Sequence, residues 1–133
     1  MTSIILEDRA PALAAYPHAR VVGDLIFVSG ISCRRPDGTH AGVGDIRVQT
    51  REVIQNIGTI LAAAGASVAD VVDITVFLVH MEDYGGMNEV YNEFFTQEAG
   101  PARTTVAVHQ LPHPNLLVEM KAVAARPTTT DKT

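Results

Sequence analysis

The chain has 133 residues, a net charge of −5 with histidine neutral, 47% hydrophobic residues and no tryptophan. This length fits one domain, which buries enough surface to hold its own core. The acidic balance and scattered basic residues exclude the basic stripe that nucleic-acid binding requires, and they disfavour anionic membranes. No apolar run approaches membrane-spanning length. The single cysteine, Cys33, and an N-terminus without signal-peptide features predict a cytoplasmic location.

The chain is predicted to form one domain over residues 1–126, followed by a flexible tail at 127–133. The tail is polar and aperiodic, which is typical of a frayed terminus. Residues 20–30 predict two strands around the Gly23-Asp24 turn. The glycine-rich segment 34–44 predicts an exposed loop.

Residues 45–64 carry the strongest helical pattern of the chain. Their apolar side chains recur at three-and-four spacing and form one stripe, which predicts an amphipathic helix. Asp45 is expected to cap its start, and Gly65 is expected to end it in a left-handed turn.

The second half of the chain predicts a strand, a helix and two further strands. Residues 71–80 are β-branched and apolar on both faces, which predicts a central strand covered on both sides. A helix is predicted from a cap at Asp83 through Phe95. Strands are predicted over 103–109 and 116–125.

This order of elements predicts an α+β layer sandwich with two helices on one face of the sheet. The other face has no helix of its own. It would be bare in a monomer, so we expect oligomerisation to cover it.

Two charged residues stand out within the predicted strands. Arg103 begins a strand among small neighbours, where a guanidinium can fork onto a carboxylate; a surface ion pair is the alternative. Glu119 interrupts an apolar strand, where burial raises a carboxyl pKa toward the range of acid–base catalysis. An ion pair with Lys121, on the same face, is the alternative. The local pattern leaves both questions open.

Other polar residues point less clearly to chemistry. His109 and His113 are separated by Pro112, and no cysteine or carboxylate cluster completes a tetrahedral set, so we expect no metal site. Cys33 has no adjacent base and is expected to be a small hydrophobe. Ser29 lacks the flanks of a nucleophile elbow and is a candidate for a substrate hydrogen bond.

Short segments in a fixed order cover nearly the whole chain, and together they resemble the RidA/YjgF family. Each segment is weak alone, but the ordered set is specific. The segments are Ala15-Tyr16, Phe27-Val28-Ser29-Gly30, Asn56-Ile57, Leu61 to Gly65, Asp70 to Leu78, Met87 to Phe95, Pro101 to Val106 and Val118 to Ala122.

The resemblance implies a chorismate-mutase-like fold and a barrel-like homotrimer with active sites between subunits. It also implies hydrolysis of enamines or imines to keto acids and ammonia, without metal or organic cofactor. By position, Arg103 matches the arginine that binds the substrate carboxylate, and Glu119 matches the glutamate that positions water. Tyr16, Ser29 and Asn88 match further cleft positions.

The chain also departs from the family pattern. Thr105 stands where the typical member has cysteine, the connection from Phe95 to Arg103 is short, and the loop at 113–115 is longer than usual. Residues 16–20 and 29–37 resemble the 2-aminomuconate deaminase branch, whose substrate is a dicarboxylate enamine from aromatic catabolism.

For such a substrate, Arg103 is expected to hold the 1-carboxylate, and Glu119 is expected to activate water and return its proton to the leaving amine. Backbone N–H groups near Gly30 or Ile31 are expected to support the carboxylate. The candidates for the second carboxylate are Arg34, Arg35 and His18.

Three alternatives remain. A general 2-iminoacid deaminase, acting on substrates such as 2-aminoacrylate, needs Arg103 and Glu119 but no contact with a second carboxylate. A non-catalytic carboxylate-binding or chaperone-like trimer would bind ligand without releasing ammonia. RNA cleavage, sometimes attached to the family, conflicts with the acidic balance.

Overall fold

The computed structural model describes residues 1–127, in which six strands form one sheet in the order β1-β2-β3-β6-β4-β5. Only β4 and β5 pair in parallel, so the sheet is mixed. The elements in chain order are β1 (Thr2–Ile4), β2 (Ala19–Val22), β3 (Leu25–Val28), α1 (Ile46–Ala63), β4 (Val71–Leu78), α2 (Tyr84–Phe94), β5 (Ala102–Ala107) and β6 (Val118–Ala125).

The first helix forms where its apolar period predicts it. The Asp45 side chain caps its start by accepting hydrogen bonds from the backbone N–H groups of Arg47 and Val48, at 3.0 and 3.1 Å. Gly65 follows its end with a φ of 81°, a conformation that glycine adopts without steric cost. Both predicted caps of this helix are confirmed.

The second helix begins directly after Asp83, as predicted, but the Asp83 side chain does not cap it. A short 3-10 helix over Met81–Asp83 leads directly into α2 at Tyr84. Asp83 therefore has helical backbone angles, φ −81° and ψ −2°, and its side chain makes no capping hydrogen bond. A capping side chain needs the extended backbone that Asp45 has and Asp83 lacks.

Three predicted strands are shorter than expected, and one strand was not predicted. β4 ends at Leu78 rather than residue 80, and β5 ends at Ala107 rather than residue 109. β6 begins at Val118, because the Leu116 N–H donates to the His113 carbonyl in a turn, at 3.0 Å. The N-terminal β1 adds an edge strand beside β2.

The core lies between the helices and one face of the sheet. β6 shows the alternation most clearly, because the side chains of Val118, Met120, Ala122 and Ala124 are at most 1% exposed. They pack against the apolar stripe of α1 and against α2. Residues 71–80 were expected to be covered on both faces of the sheet. Within one chain this is wrong, because Thr75 and Phe77, on the face away from the helices, are only partly buried.

The face away from the helices is open and carries both apolar and polar side chains. The exposed apolar side chains that it presents are Val22, Leu25, Phe27 and Val106. In the part of the chain that the structure describes, no helix is long and apolar enough to cross a membrane. The predicted division at 126/127 stays a prediction, because the tail beyond residue 127 lies outside the described residues.

Candidate functional site

Glu119 lies on the open face of the sheet, opposite Phe77 of β4. Its carboxylate packs against Gly30, which follows β3. A Cβ added at Gly30 would lie 2.5 Å from Glu119 Oε2 and 3.1 Å from Cδ, so this close approach requires glycine. The glycine therefore makes room for the carboxylate.

The Glu119 carboxylate borders a cavity of about 330 Å³. Burial raises the pKa of this carboxyl, and attraction to the Arg34 guanidinium partly opposes the rise. Within residues 1–127 Glu119 makes no ion pair with Lys121, whose ammonium donates to the Val28 carbonyl at 3.2 Å. A partly buried carboxylate with a raised pKa is suited to general acid–base catalysis.

Tyr16 and Ser29, both predicted cleft residues, line this same cavity. Ser29 Oγ donates to the Pro17 carbonyl at 2.8 Å, which holds its side chain in place. The Tyr16 hydroxyl accepts a hydrogen bond from the Leu13 N–H at 3.3 Å. Both hydroxyl oxygens keep further capacity to bind a ligand.

The two backbone N–H groups expected to support a carboxylate differ in availability. Ile31 N–H donates to the Met120 carbonyl at 2.8 Å, so it is occupied within the chain. Gly30 N–H makes no hydrogen bond within residues 1–127. Gly30 therefore combines a free donor with the space that Glu119 occupies.

Arg103 lies at the start of β5 and extends toward α2. Its Nη1 donates to Asn88 Oδ1 at 2.8 Å, and its Nη2 donates to the Tyr84 hydroxyl at 3.1 Å. The guanidinium carbon lies 4.6 Å from the ring centroid of Tyr91. Among residues 1–127 Arg103 makes no ion pair, so the surface-pair alternative is wrong.

The aromatic partners of Arg103 were not predicted, although their spacing in the sequence indicates them. Tyr84, Asn88 and Tyr91 follow one another at spacings of four and three, so they share one face of α2. Burial raises the pKa of Tyr91, and the Arg103 charge opposes the rise. The two tyrosine rings contact the guanidinium without neutralising its charge.

Thr105 lies two residues beyond Arg103 on the same face of β5. Its hydroxyl oxygen is buried and has no hydrogen-bond partner in the described part of the chain. Buried polar atoms normally have a partner, so this hydroxyl is an exception among the described residues.

Arg103 and Glu119 do not share a site within one chain. Arg103 pairs with Ile74, whose side chain lies in the core beneath the helices. Glu119 pairs with Phe77, three residues along the same strand, so it points to the opposite face. The two side chains thus lie on opposite faces of the sheet, and β5, which carries Arg103, is an edge strand.

His18, a predicted substrate-binding residue, binds backbone groups of its own chain. Its Nδ1 accepts a hydrogen bond from Leu6 N–H at 3.1 Å, and its Nε2 lies 2.8 Å from the Ala10 carbonyl oxygen. Both ring nitrogens are therefore committed to backbone groups. His18 holds the N-terminal segment in place.

Arg35 is a further predicted substrate-binding residue. It is exposed and pairs with Glu52 at 3.4 Å, and it does not border the Glu119 cavity. Its neighbour Arg34 does border that cavity, and Arg34 Nη2 donates to the Pro11 carbonyl at 2.6 Å. The structure therefore separates two adjacent arginines that the sequence could not.

The remaining cysteine and histidine residues form no further centre. Cys33 is fully buried beside Ala41 and Leu116, and burial raises the pKa of its thiol, as expected for a small hydrophobe. Within residues 1–127, no cluster of three or more His, Cys, Asp or Glu side chains has the arrangement needed for a metal ion.

The chain matches known proteins over almost its full length. The sequence model of a family described as Endoribonuclease L-PSP matches residues 7–126. The RutC family protein PYRAB12510 of Pyrococcus abyssi is 44% identical over 122 residues, which are 91% of this chain and 94% of that protein. The Escherichia coli (strain K12) protein named "Putative reactive intermediate deaminase TdcF" is 35% identical over 129 residues, with 95% and 98% covered.

Solved structures agree with these sequence matches and confirm the expected fold class. The crystal structure of E. coli TdcF with bound serine has a TM-score of 0.85 and 31% identity, with 96% of this chain and 100% of that chain covered. The crystal structure of the E. coli YjgF gene product has the same TM-score and coverage, with 32% identity. The chain therefore belongs to the RidA/YjgF family.

Proposed function

We propose that this protein is a hydrolytic deaminase of reactive enamines and imines, with active sites formed between subunits of a homotrimer. The observation that carries this proposal is the division of the site. Arg103 is oriented by Asn88, and Glu119 has a raised pKa, yet the two residues lie on opposite faces of one sheet. They can act on one substrate only if Arg103 of one subunit meets Glu119 of the next.

The open face of the sheet supports the assembly. Val22, Leu25, Phe27 and Val106 are each about two fifths exposed there. Apolar surface of this kind marks a partner surface in soluble proteins. A ring closed by three-fold symmetry repeats the same contact at each interface and yields three equivalent sites.

The chemistry follows from the two half-sites. Arg103, held by Asn88 and the rings of α2, binds the substrate carboxylate through its planar fork. The enamine takes a proton at carbon and loses one at nitrogen, which gives the imine. Glu119 then removes a proton from water as its oxygen bonds to the imine carbon.

The resulting carbinolamine collapses to products. Glu119 first returns the water proton to nitrogen, which completes the carbinolamine, and then carries the hydroxyl proton to nitrogen as the C–N bond breaks and the carbonyl forms. Ammonia and a 2-oxo acid leave. The groups assigned to substrate binding are Tyr16, Ser29, Gly30, Asn88 and Thr105.

The substrate that we propose is 2-aminomuconate, on the likeness of residues 16–20 and 29–37 to the enzymes that deaminate it. The second candidate is a general 2-iminoacid deaminase, which is favoured by the likeness to TdcF, a protein crystallised with bound serine. Comparing turnover on 2-aminomuconate and on 2-aminoacrylate separates the two.

The family description also names an endoribonuclease. The net charge of −5 and the lack of a basic stripe in the sequence argue against RNA as the substrate. Phosphate contacts would make RNA binding strongly salt-dependent. RNA binding that does not change with salt concentration would exclude RNA as the substrate.

Co-expression of two inactive variants tests the divided site. Arg103→Ala and Glu119→Gln are each expected to lose turnover, measured as ammonia release. A trimer that contains both variants has one interface where an intact Arg103 meets an intact Glu119. With random mixing in a closed trimer, about a quarter of all sites should be restored.

The outcomes separate the parts of the proposal. Recovery near a quarter of wild-type activity supports the site between subunits. No recovery in mixed trimers means that each site lies within one chain. Near wild-type turnover in both single variants contradicts the mechanism, and carboxylate binding without any ammonia release identifies a non-catalytic binding protein.

A further inference from the structure

Arg34 is a guanidinium with unused donors at the edge of the Glu119 cavity. Within residues 1–127 its side chain makes one hydrogen bond, from Nη2 to the Pro11 carbonyl at 2.6 Å, and no ion pair. A guanidinium has five N–H donors, so most remain available. The side chain is partly buried and is anchored at one end.

The charges around the cavity do not balance. Two cations, Arg34 and Lys121, border it together with one carboxylate, that of Glu119. If Arg103 of a neighbouring subunit joins this group, as the proposed function requires, three cations face one anion. A ligand with two negative charges restores the balance.

We propose that Arg34 binds a second carboxylate of the substrate and thereby makes the site selective for dicarboxylates. This inference rests on the proposed site between subunits. Arg103 holds the carboxylate next to the reacting carbon, and Arg34 holds the one at the far end. A cavity of about 330 Å³ lies within the usual range for small ligands.

The neighbouring Arg35 provides a matched control. It lies one residue along the same loop and carries the same charge, but it is exposed and pairs with Glu52. Arg34→Gln and Arg35→Gln therefore change the net charge of the protein equally. Only the first removes a cation from the cavity.

Two stable six-carbon dienes serve as probes. trans,trans-Muconate and sorbate differ only in the second carboxylate, so the ratio of their dissociation constants isolates the contact with that group. Titration calorimetry on the intact wild-type protein is expected to give tighter binding of muconate by about 10- to 100-fold, the range for a charge-assisted contact. Arg34→Gln should abolish this preference, whereas Arg35→Gln should retain it.

A kinetic readout distinguishes a direct contact from a structural effect. Because Arg34 attracts the ionised Glu119, its removal should move the acid limb of the kcat/KM profile to higher pH. Arg35→Gln should leave that limb in place. An unchanged limb in Arg34→Gln would contradict the placement of Arg34 beside Glu119.

Several results would overturn the inference. They are equal binding of muconate and sorbate by the wild-type protein, an Arg34→Gln variant that keeps the preference, or a loss of preference in Lys121→Gln instead. The proposed function fails separately. If no enamine releases ammonia but the preference persists and depends on Arg34, the dicarboxylate site stands without the deaminase.

Discussion

Replacing Gly30 with alanine tests whether the position of the Glu119 carboxylate determines activity. The added methyl would lie 2.5 Å from Glu119 Oε2, whereas ordinary van der Waals contact begins at 3.4 Å. The carboxylate must therefore retreat by 0.9 Å, the difference of these two distances. The atoms that the methyl meets all belong to one flexible side chain, so the backbone can remain where it is.

The expected effects on stability and activity differ in size. Gly30 does not have a positive φ, so alanine fits the backbone. Such a replacement changes the free energy of unfolding by about 0.4–1 kcal/mol in the stabilising direction, through the unfolded chain. A displacement of a reacting group by about 1 Å can cost roughly 100-fold in rate. We therefore expect kcat to fall by about two orders of magnitude while stability is preserved.

Ammonia release from 2-aminomuconate measures kcat, and urea denaturation measures stability. Gly85→Ala is the control, because a Cβ at Gly85 meets no atom within 4 Å. It should stabilise α2 by up to about 1 kcal/mol and leave kcat unchanged. Wild-type kcat in Gly30→Ala, or a loss of kcat that only follows a loss of stability, would refute the reasoning.

Three further predictions concern stability and assembly. Burial raises the pKa of Glu119, so ionising this carboxyl costs folding free energy. The stability of the wild-type protein therefore falls as the pH rises through that pKa. Glu119→Gln should have a higher melting temperature than wild type at pH 8 but not at pH 4. Asp45→Ala should cost about 1 kcal/mol in urea denaturation, whereas Asp83→Ala, which removes no cap, should cost less than about 0.5 kcal/mol. Phe27→Asp places a charge among the exposed apolar side chains of the open face and should shift sedimentation from the proposed trimer to the monomer; an oligomer unchanged from wild type would exclude this face from the interface.

The features that were predictable from sequence depend on neighbours a few residues apart. The helix after Asp45 follows from its apolar period and from a cap whose partners lie two and three residues along the chain. Glu119 stood out because a carboxylate interrupts an apolar strand. The spacing of Tyr84, Asn88 and Tyr91 places them on one face of α2, but their contact with Arg103 was not predicted.

Loop residues were predicted less well, because loops have no period that orients their side chains. Arg34 and Arg35 are adjacent and chemically identical, yet only Arg34 borders the Glu119 cavity. His18 was predicted to bind substrate, but both of its ring nitrogens have backbone partners. Those partners, Leu6 and Ala10, belong to an irregular segment whose path no local pattern predicts.

The sequence by itself determined the class of fold, the main helix and the two charged residues around which the site is built. Only the tertiary structure decided that Arg103 and Glu119 face opposite sides of the sheet. That outcome depends on strand order and register, in which Ile74 and Phe77 of β4 meet partners far apart in the chain. In a strand, a shift by one residue turns every side chain to the other face, so only long-range pairing can settle which residues share a site.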